Sequence, residues 1–157
     1  MSAPVVPEFA IHHVSISVPD LEAAIAWYGK IFGFEVQFRM GIESLGAKGA
    51  FVKRGDLRLE LWHIGGGSTV PPGRREPNSD LQTGGTKHLA LAVPNLQACL
   101  GELVRRGVDI AAVQRDPTQP MLPDADPLAS DKPPAFAAFI RDPFGVLIEL
   151  LDAERAG

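Results

Sequence analysis

The sequence predicts an α+β protein made of two copies of one strand–helix–strand–strand–strand module. Three observations carry that prediction. Residues 12–28, HHVSISVPDLEAAIAWY, match residues 87–103, KHLALAVPNLQACLGEL, at an offset of 75, which superposes His13 on His88, Val18 on Val93, Pro19 on Pro94 and Leu21 on Leu96. In both copies the apolar residues first alternate with period two and then pass to helical spacing. Each copy closes on an apolar strand that carries one isolated glutamate, Glu60 in LRLELW and Glu149 in VLIELL. The chain is one domain, 1–157, with module 1 over about 10–64, a long loop over 64–86 and module 2 over about 87–152.

The first strand of each module has two unlike faces. Val14, Ile16 and Val18 alternate with His13, Ser15 and Ser17; Leu89, Leu91 and Val93 alternate with His88, Ala90 and Ala92. The apolar face suits packing on a helix, and a face of one histidine and small residues suits a cavity wall. Asp20 and Asn95 stand where a helix N-cap is expected. Leu21, Ala24, Ile25, Tyr28, Ile31 and Phe32, and then Leu96, Cys99, Leu100, Leu103 and Val104, form one buried stripe per helix. Gly33 and Gly107 suit left-handed C-terminal positions. Cys99 lies on its stripe and is read as core filler. Further strands are expected over 34–39, 48–54 and 57–63, and over 108–113, 135–141 and 146–151. The segments 64–86 and 114–134, the second with six prolines, are long for structureless loops. They are expected to pack less tightly than the strands and to shape access to a site.

Composition removes several function classes. A net charge of −4 gives no basic footprint for nucleic acid. No apolar run approaches the ~20 residues that cross a bilayer. Residues 1–8 lack the basic and apolar parts of a signal peptide. The single cysteine excludes an intrachain disulfide and a Cys-based zinc site. The expectation is a cytoplasmic protein that binds any metal through histidines and carboxylates.

A lone histidine or glutamate on a strand is unremarkable; the repetition is not. Each module supplies one histidine at the start of its first strand and one glutamate on its last. If a pseudo-twofold axis relates the modules, His13, Glu60, His88 and Glu149 converge. Two imidazoles and two carboxylates suit a divalent ion of the Fe, Mn, Co, Ni or Zn series, with positions left for water or substrate. His12 has the opposite parity and belongs to the helix-packed face or the strand start. His63 lies off the Glu60 face.

The segments HVSISVPDL (13–21), LEL (59–61), HLALAVPNL (88–96) and RDPFGVLIEL (141–150) resemble the vicinal oxygen chelate superfamily over about residues 10–152. That superfamily includes glyoxalase I, methylmalonyl-CoA epimerase, extradiol dioxygenases, thiol-transfer fosfomycin resistance enzymes and bleomycin-binding proteins. The resemblance, strongest to glyoxalase I-type lyases, implies paired βαβββ modules forming an eight-stranded, cup-shaped sheet around one divalent metal, in a homodimer. The family's metal positions fall on His13, Glu60, His88 and Glu149. It implies a lyase or isomerase that removes a proton next to the metal-chelated carbonyl of a small substrate with vicinal oxygens, with Glu149 as general base and Glu60 as its counterpart. A ring-cleaving Fe(II) dioxygenase is the alternative; it would use His13, His88 and Glu149 and leave Glu60 superfluous. A non-catalytic antibiotic-binding protein is a second alternative, against which the complete quartet argues. Arg58 and Trp62 share the parity of Glu60 and are expected in the substrate pocket. Arg39, Arg74 and Arg75 are further candidates for substrate carboxylates, although the large loops count against a glutathione adduct.

Overall fold

Strand β1 (Val14–Ser17) keeps the alternation its residues set: Ile16 is buried, while Ser15 and Ser17 are exposed on the other face. The computed structural model describes Val5 and residues 10–155, so most of the N-terminal segment considered above lies outside the described residues. The chain divides into two compact units, Met1–Ser68 and Thr69–Gly157, and the division falls within the loop between the modules.

In the first unit, Asp20 caps α1 (Leu21–Phe32), its carboxylate accepting from the Ala23 N–H at 3.0 Å. Gly33 closes the helix at φ 72°, a left-handed conformation that a Cβ would strain. Three strands follow: β2 (Glu35–Ile42), β3 (Ala47–Arg54) and β4 (Leu57–Ile64). The sheet order is β1-β4-β3-β2, with β1 parallel to β4 and the other pairs antiparallel. Leu59 and Leu61 of β4 are fully buried with Ile16, Ala24, Tyr28 and Val52, so one face of the sheet packs on α1. The other face carries Arg58, Glu60 and Trp62.

The second unit repeats the plan with β5 (Leu89–Val93), α2 (Leu96–Arg105), β6 (Asp109–Gln114), β7 (Ala137–Arg141) and β8 (Leu147–Asp152). Its order is β5-β8-β7-β6, again with only the first pair parallel. Asn95 caps α2 by accepting from Ala98 N–H at 2.9 Å, and Asp152 of β8 accepts from Leu96 N–H. The fold is therefore α+β, with eight strands in two four-stranded mixed sheets. Among the described residues no helix is long and apolar enough to cross a membrane.

Strand limits differ from the sequence expectation where other partners take the backbone. Strand β2 continues to Ile42, paired with Ala47. Strand β7 starts at Ala137, because the Ala135 N–H donates to the Gln97 side chain on α2. The long segments have no α-helix, but they are not loose. Arg75 donates to Val70 O and Thr69 Oγ1, and Arg141 Nε donates to Arg75 O. In the proline-rich segment, Arg115 and Lys132 meet on Asp124 at 2.9 and 2.5 Å. Leu122 bridges to Val113, and Met121 packs inward on Ala111, Phe139 and Leu147.

Candidate metal centre

Parallel pairing fixes the first histidine–glutamate pair. Ser15 lies opposite Glu60, so His13, two residues earlier on the same face, comes to the same carboxylate. His13 Nε2 is 3.5 Å from Glu60 Oε2. In the second unit Ala90 lies opposite Glu149, and His88 Nε2 is 3.1 Å from Glu149 Oε2. The side-chain exposures agree as well: 33 % and 17 % for His13 and Glu60, 33 % and 19 % for His88 and Glu149. The two pairs are thus the same device built twice.

Each pair also has the same aromatic neighbour. Phe51 lies opposite Glu60 in the β3–β4 ladder, and its ring meets His13 edge-on at 5.1 Å between centroids and 81°. Phe139 lies opposite Glu149 in the β7–β8 ladder and meets His88 at 4.9 Å and 82°. These rings fix the tilt of each imidazole. The sequence reading missed them, although they head a second, shorter repeat: Ala50-Phe51-Val52-Lys53 against Ala138-Phe139-Ile140-Arg141.

The donor spacing fits a shared ion. Two ligands each about 2.1 Å from an ion lie roughly 3.0 Å apart in octahedral and 3.4 Å apart in tetrahedral geometry. The observed 3.5 and 3.1 Å sit at those values, and imidazole with carboxylate is a donor set for first-row divalent metals. Among the described residues, no group of three or more His, Cys, Asp and Glu side chains is placed to hold one metal ion.

The flanks differ. Two residues to either side of Glu60, on the same face, stand Arg58 and Trp62; the same places around Glu149 hold Leu147 and Leu151. Trp62 lies over Gly49, where a Cβ would sit 2.9 Å from the indole, so only glycine admits the ring there. Trp62 borders a groove of about 490 Å³ that Ile42, Leu45, Ala47 and Ile64 make largely apolar. Arg58 is half-buried; its Nη1 is 3.0 Å from His12 Nε2, and its Nε is buried with no hydrogen-bond partner. His12 precedes β1, off the helix-packed face, and its Nδ1 is 2.7 Å from His13 Nδ1. In the second unit Lys87 takes the place of His12, and its amine is held by the carbonyls of Asp80 and Thr83.

Other candidates are engaged elsewhere. His63 Nδ1 lies 3.4 Å from Val18 O. Arg39 forks onto Glu22, and Arg74 meets Asp80 at 2.7 Å. Burial pushes the Cys99 thiol up, which disfavours the thiolate.

Residues 10–150 match the model of the Glyoxalase/Bleomycin resistance protein/Dioxygenase superfamily. The chain is 33 % identical over 101 residues to the ethylmalonyl-CoA/methylmalonyl-CoA epimerase of Cereibacter sphaeroides, covering 64 % of this chain and 72 % of that one. It is 32 % identical over 98 residues to human mitochondrial methylmalonyl-CoA epimerase, covering 62 % of this chain and 54 % of the human one, about half its length. Among solved structures, a glyoxalase family protein from Enterococcus faecalis aligns with TM-score 0.67 at 22 % identity, covering 90 % of this chain and 96 % of that one. The trypanothione-dependent glyoxalase I of Leishmania major aligns with TM-score 0.64 at 22 % identity, covering 94 % and 88 %. Both structures are likenesses of fold.

Proposed function

The chain belongs to the Glyoxalase/Bleomycin resistance protein/Dioxygenase superfamily, and from that premise we propose that it is a metal-dependent isomerase acting on a 2-substituted malonyl thioester. The repeated His–Glu pair carries the proposal. His13, Glu60, His88 and Glu149 are the residues that would hold one divalent ion. Bound there, it supplies Lewis acidity to a carbonyl that chelates it.

The remaining chemistry belongs to side chains. Each carboxylate would serve alternately as ligand and proton carrier: Glu149 takes the proton from the carbon between the two carbonyls, Glu60, entering protonated, delivers its own proton to the opposite face, which inverts that carbon, and exchange with solvent restores both. Two carboxylates suit such an exchange; a ring-cleaving oxygenase has no use for the second. Arg58 gives a cation on the face of Glu60 for the substrate's free carboxylate. Trp62 and its groove take apolar substrate surface. The names of the epimerase relatives move the malonyl thioester ahead of methylglyoxal–thiol adducts as the first substrate to test.

The experiment is proton exchange in heavy water. Protein loaded with Co, Mn, Ni or Zn should replace the C2 proton of methylmalonyl-CoA by deuterium without oxygen, and Glu149→Gln should stop it. Absence of exchange with both methylmalonyl-CoA and methylglyoxal–thiol adducts, for every ion, overturns the proposal. So does oxygen uptake with a catechol on Fe(II) that is indifferent to Glu60→Ala.

A further inference from the structure

Strand register sets out the open face of the first sheet in rows. Glu60 lies opposite Phe51; in the next row Trp62 lies opposite Gly49, and Gly49 opposite Met40; in the next Ile64 lies opposite Ala47, and Ala47 opposite Ile42. The missing side chain at Gly49 leaves a dip in the middle row. Trp62 and Met40 fill it: a Cβ there would stand 2.9 Å from the indole and 3.0 Å from the Met40 methyl. The indole is thereby pressed down on the sheet. It is a floor, not a wall, between Glu60 and the groove of about 490 Å³ beyond it. In the second unit the place of Gly49 holds Ala137, fully buried, and its partner across the ladder is Leu151.

The groove lies wholly in the first unit. Ile42, Leu45 and Ile64 line it and are 41–59 % exposed. No lysine or arginine lines it, and His63 turns its Nδ1 to Val18 O. Such a surface gains by covering an alkyl chain and offers nothing to the phosphates of a CoA arm. Arg58 and Trp62 stand two residues to either side of Glu60 on the same face. A carbon held over Glu60 with its carboxylate on Arg58 therefore presents a further substituent to Trp62. We propose that the groove receives the 2-substituent of the malonyl thioester, and that the protein prefers an unbranched alkyl chain there to a methyl group. The proposal rests on the isomerase reading above and names its substrate class. Successive residues on one face of a strand are about 6.7 Å apart. With carbon–carbon bonds of about 1.5 Å, a methyl stays over Glu60, and a chain of about four to six carbons crosses the indole and enters the groove. Methylmalonyl-CoA is then a weaker member of the series.

Calorimetry with methyl-, ethyl-, butyl- and hexylmalonyl-CoA, in the presence of Zn, reads the groove directly. Each methylene taken in should tighten binding about four-fold, so hexyl should exceed ethyl by roughly 100-fold or more. In the wild type kcat/KM should rise in the same order. Gly49→Ala, which lifts the indole, and Leu45→Asp should each bring the four affinities within about three-fold of one another. Ile64→Asn serves if Gly49→Ala does not fold. A wild-type series as flat as that overturns the proposal. So does a steep series that survives the variants, because the chain then lies elsewhere. Halving of the ligand-free mass by Leu45→Asp in sedimentation also overturns it, since a second copy then covers the groove. If the steep series is lost in the variants but no member exchanges its C2 proton in heavy water, the isomerase reading fails and the groove stands as an alkyl site.

Discussion

The two units carry the same pair of donors in unlike surroundings. Around Glu60 stand Arg58, Trp62 and an open apolar groove; around Glu149 stand Leu147, Leu151 and the inward-turned Met121. The edge strands differ in the same sense. Val36, Phe38 and Ile42 of β2 are 41–52 % exposed, whereas Ala111, Ala112 and Val113 of β6 are buried beside the proline-rich segment. The lesson is a division of labour. What must be held rigid, a histidine, a glutamate and a phenylalanine, is repeated on paired strands. What differs between the copies, Arg58 and Trp62 against Leu147 and Leu151, stands two residues from each glutamate.

The hardest test of that equivalence is removal of the donors. His13→Ala and His88→Ala should each weaken metal binding by roughly 100-fold or more, measured by metal content and competition with a chelator. Loss in one variant alone would make the copies unequal at their most similar point. The glutamates should then separate by role. Glu149→Gln should lower turnover by about 10²–10⁴ with little change in KM. Glu60→Gln should lose inversion of methylmalonyl-CoA while proton exchange in heavy water persists. Equal loss of exchange in both variants would remove the assignment of base and counterpart.

The rings sharpen the comparison on stability. Phe139 is 3 % exposed beneath Met121, and Phe139→Ala should cost about 3–5 kcal/mol in denaturant unfolding. Phe51 stacks at 4.8 Å on Phe38, itself 52 % exposed, so Phe51→Ala should cost less, at the low end of that range. The reverse order would mean that the groove side is the better packed.

The smallest effect concerns the covered edge. Burial acts to raise the Asp124 carboxyl, but the bonds from Lys132 and Arg115 overcome it and leave the group below its ordinary 3.8. A carboxylate lowered on folding stabilises the native chain above the unfolded value and loses that contribution as pH falls through the folded one. Proteolytic nicking within 115–136 should therefore stay constant above about pH 4 and rise below it. Asp124→Asn should nick faster at neutral pH, with no change in β2.

Much of this was legible in the residues. Period two through His13–Val18 and His88–Val93 marks the strands and their faces, and Asp20 and Asn95 mark both helix starts. The offset of 75 aligns the histidines because the segment from histidine to helix is uninterrupted. Each pairing of histidine with glutamate within a module follows once β1 pairs with β4 and β5 with β8. The aromatic contacts were hidden because they depend on hairpin register, which residue spacing alone does not give. The Arg58–His12–His13 chain was hidden for a similar reason. His12 leaves the strand pattern one residue before β1 begins, so parity did not govern its ring. Met121 lay in a proline-rich stretch whose composition signals a loop and not which side chain turns inward.

The parallel pairing of β1 with β4, and of β5 with β8, ties the geometry of the His–Glu pairs to folding. Leu59 and Leu61 fill the core from either side of Glu60, and Ile148 and Leu150 do so around Glu149. A slip of one residue in either strand would drive a carboxylate among buried aliphatic groups and expose two leucines or their equivalents. Such a chain would not fold into a poor enzyme; it would fail to fold. The core thus proofreads the donors: any copy of the protein stable enough to persist already has its glutamates aimed at its histidines. Insertions in the segments between strands can alter what the molecule meets without touching that alignment.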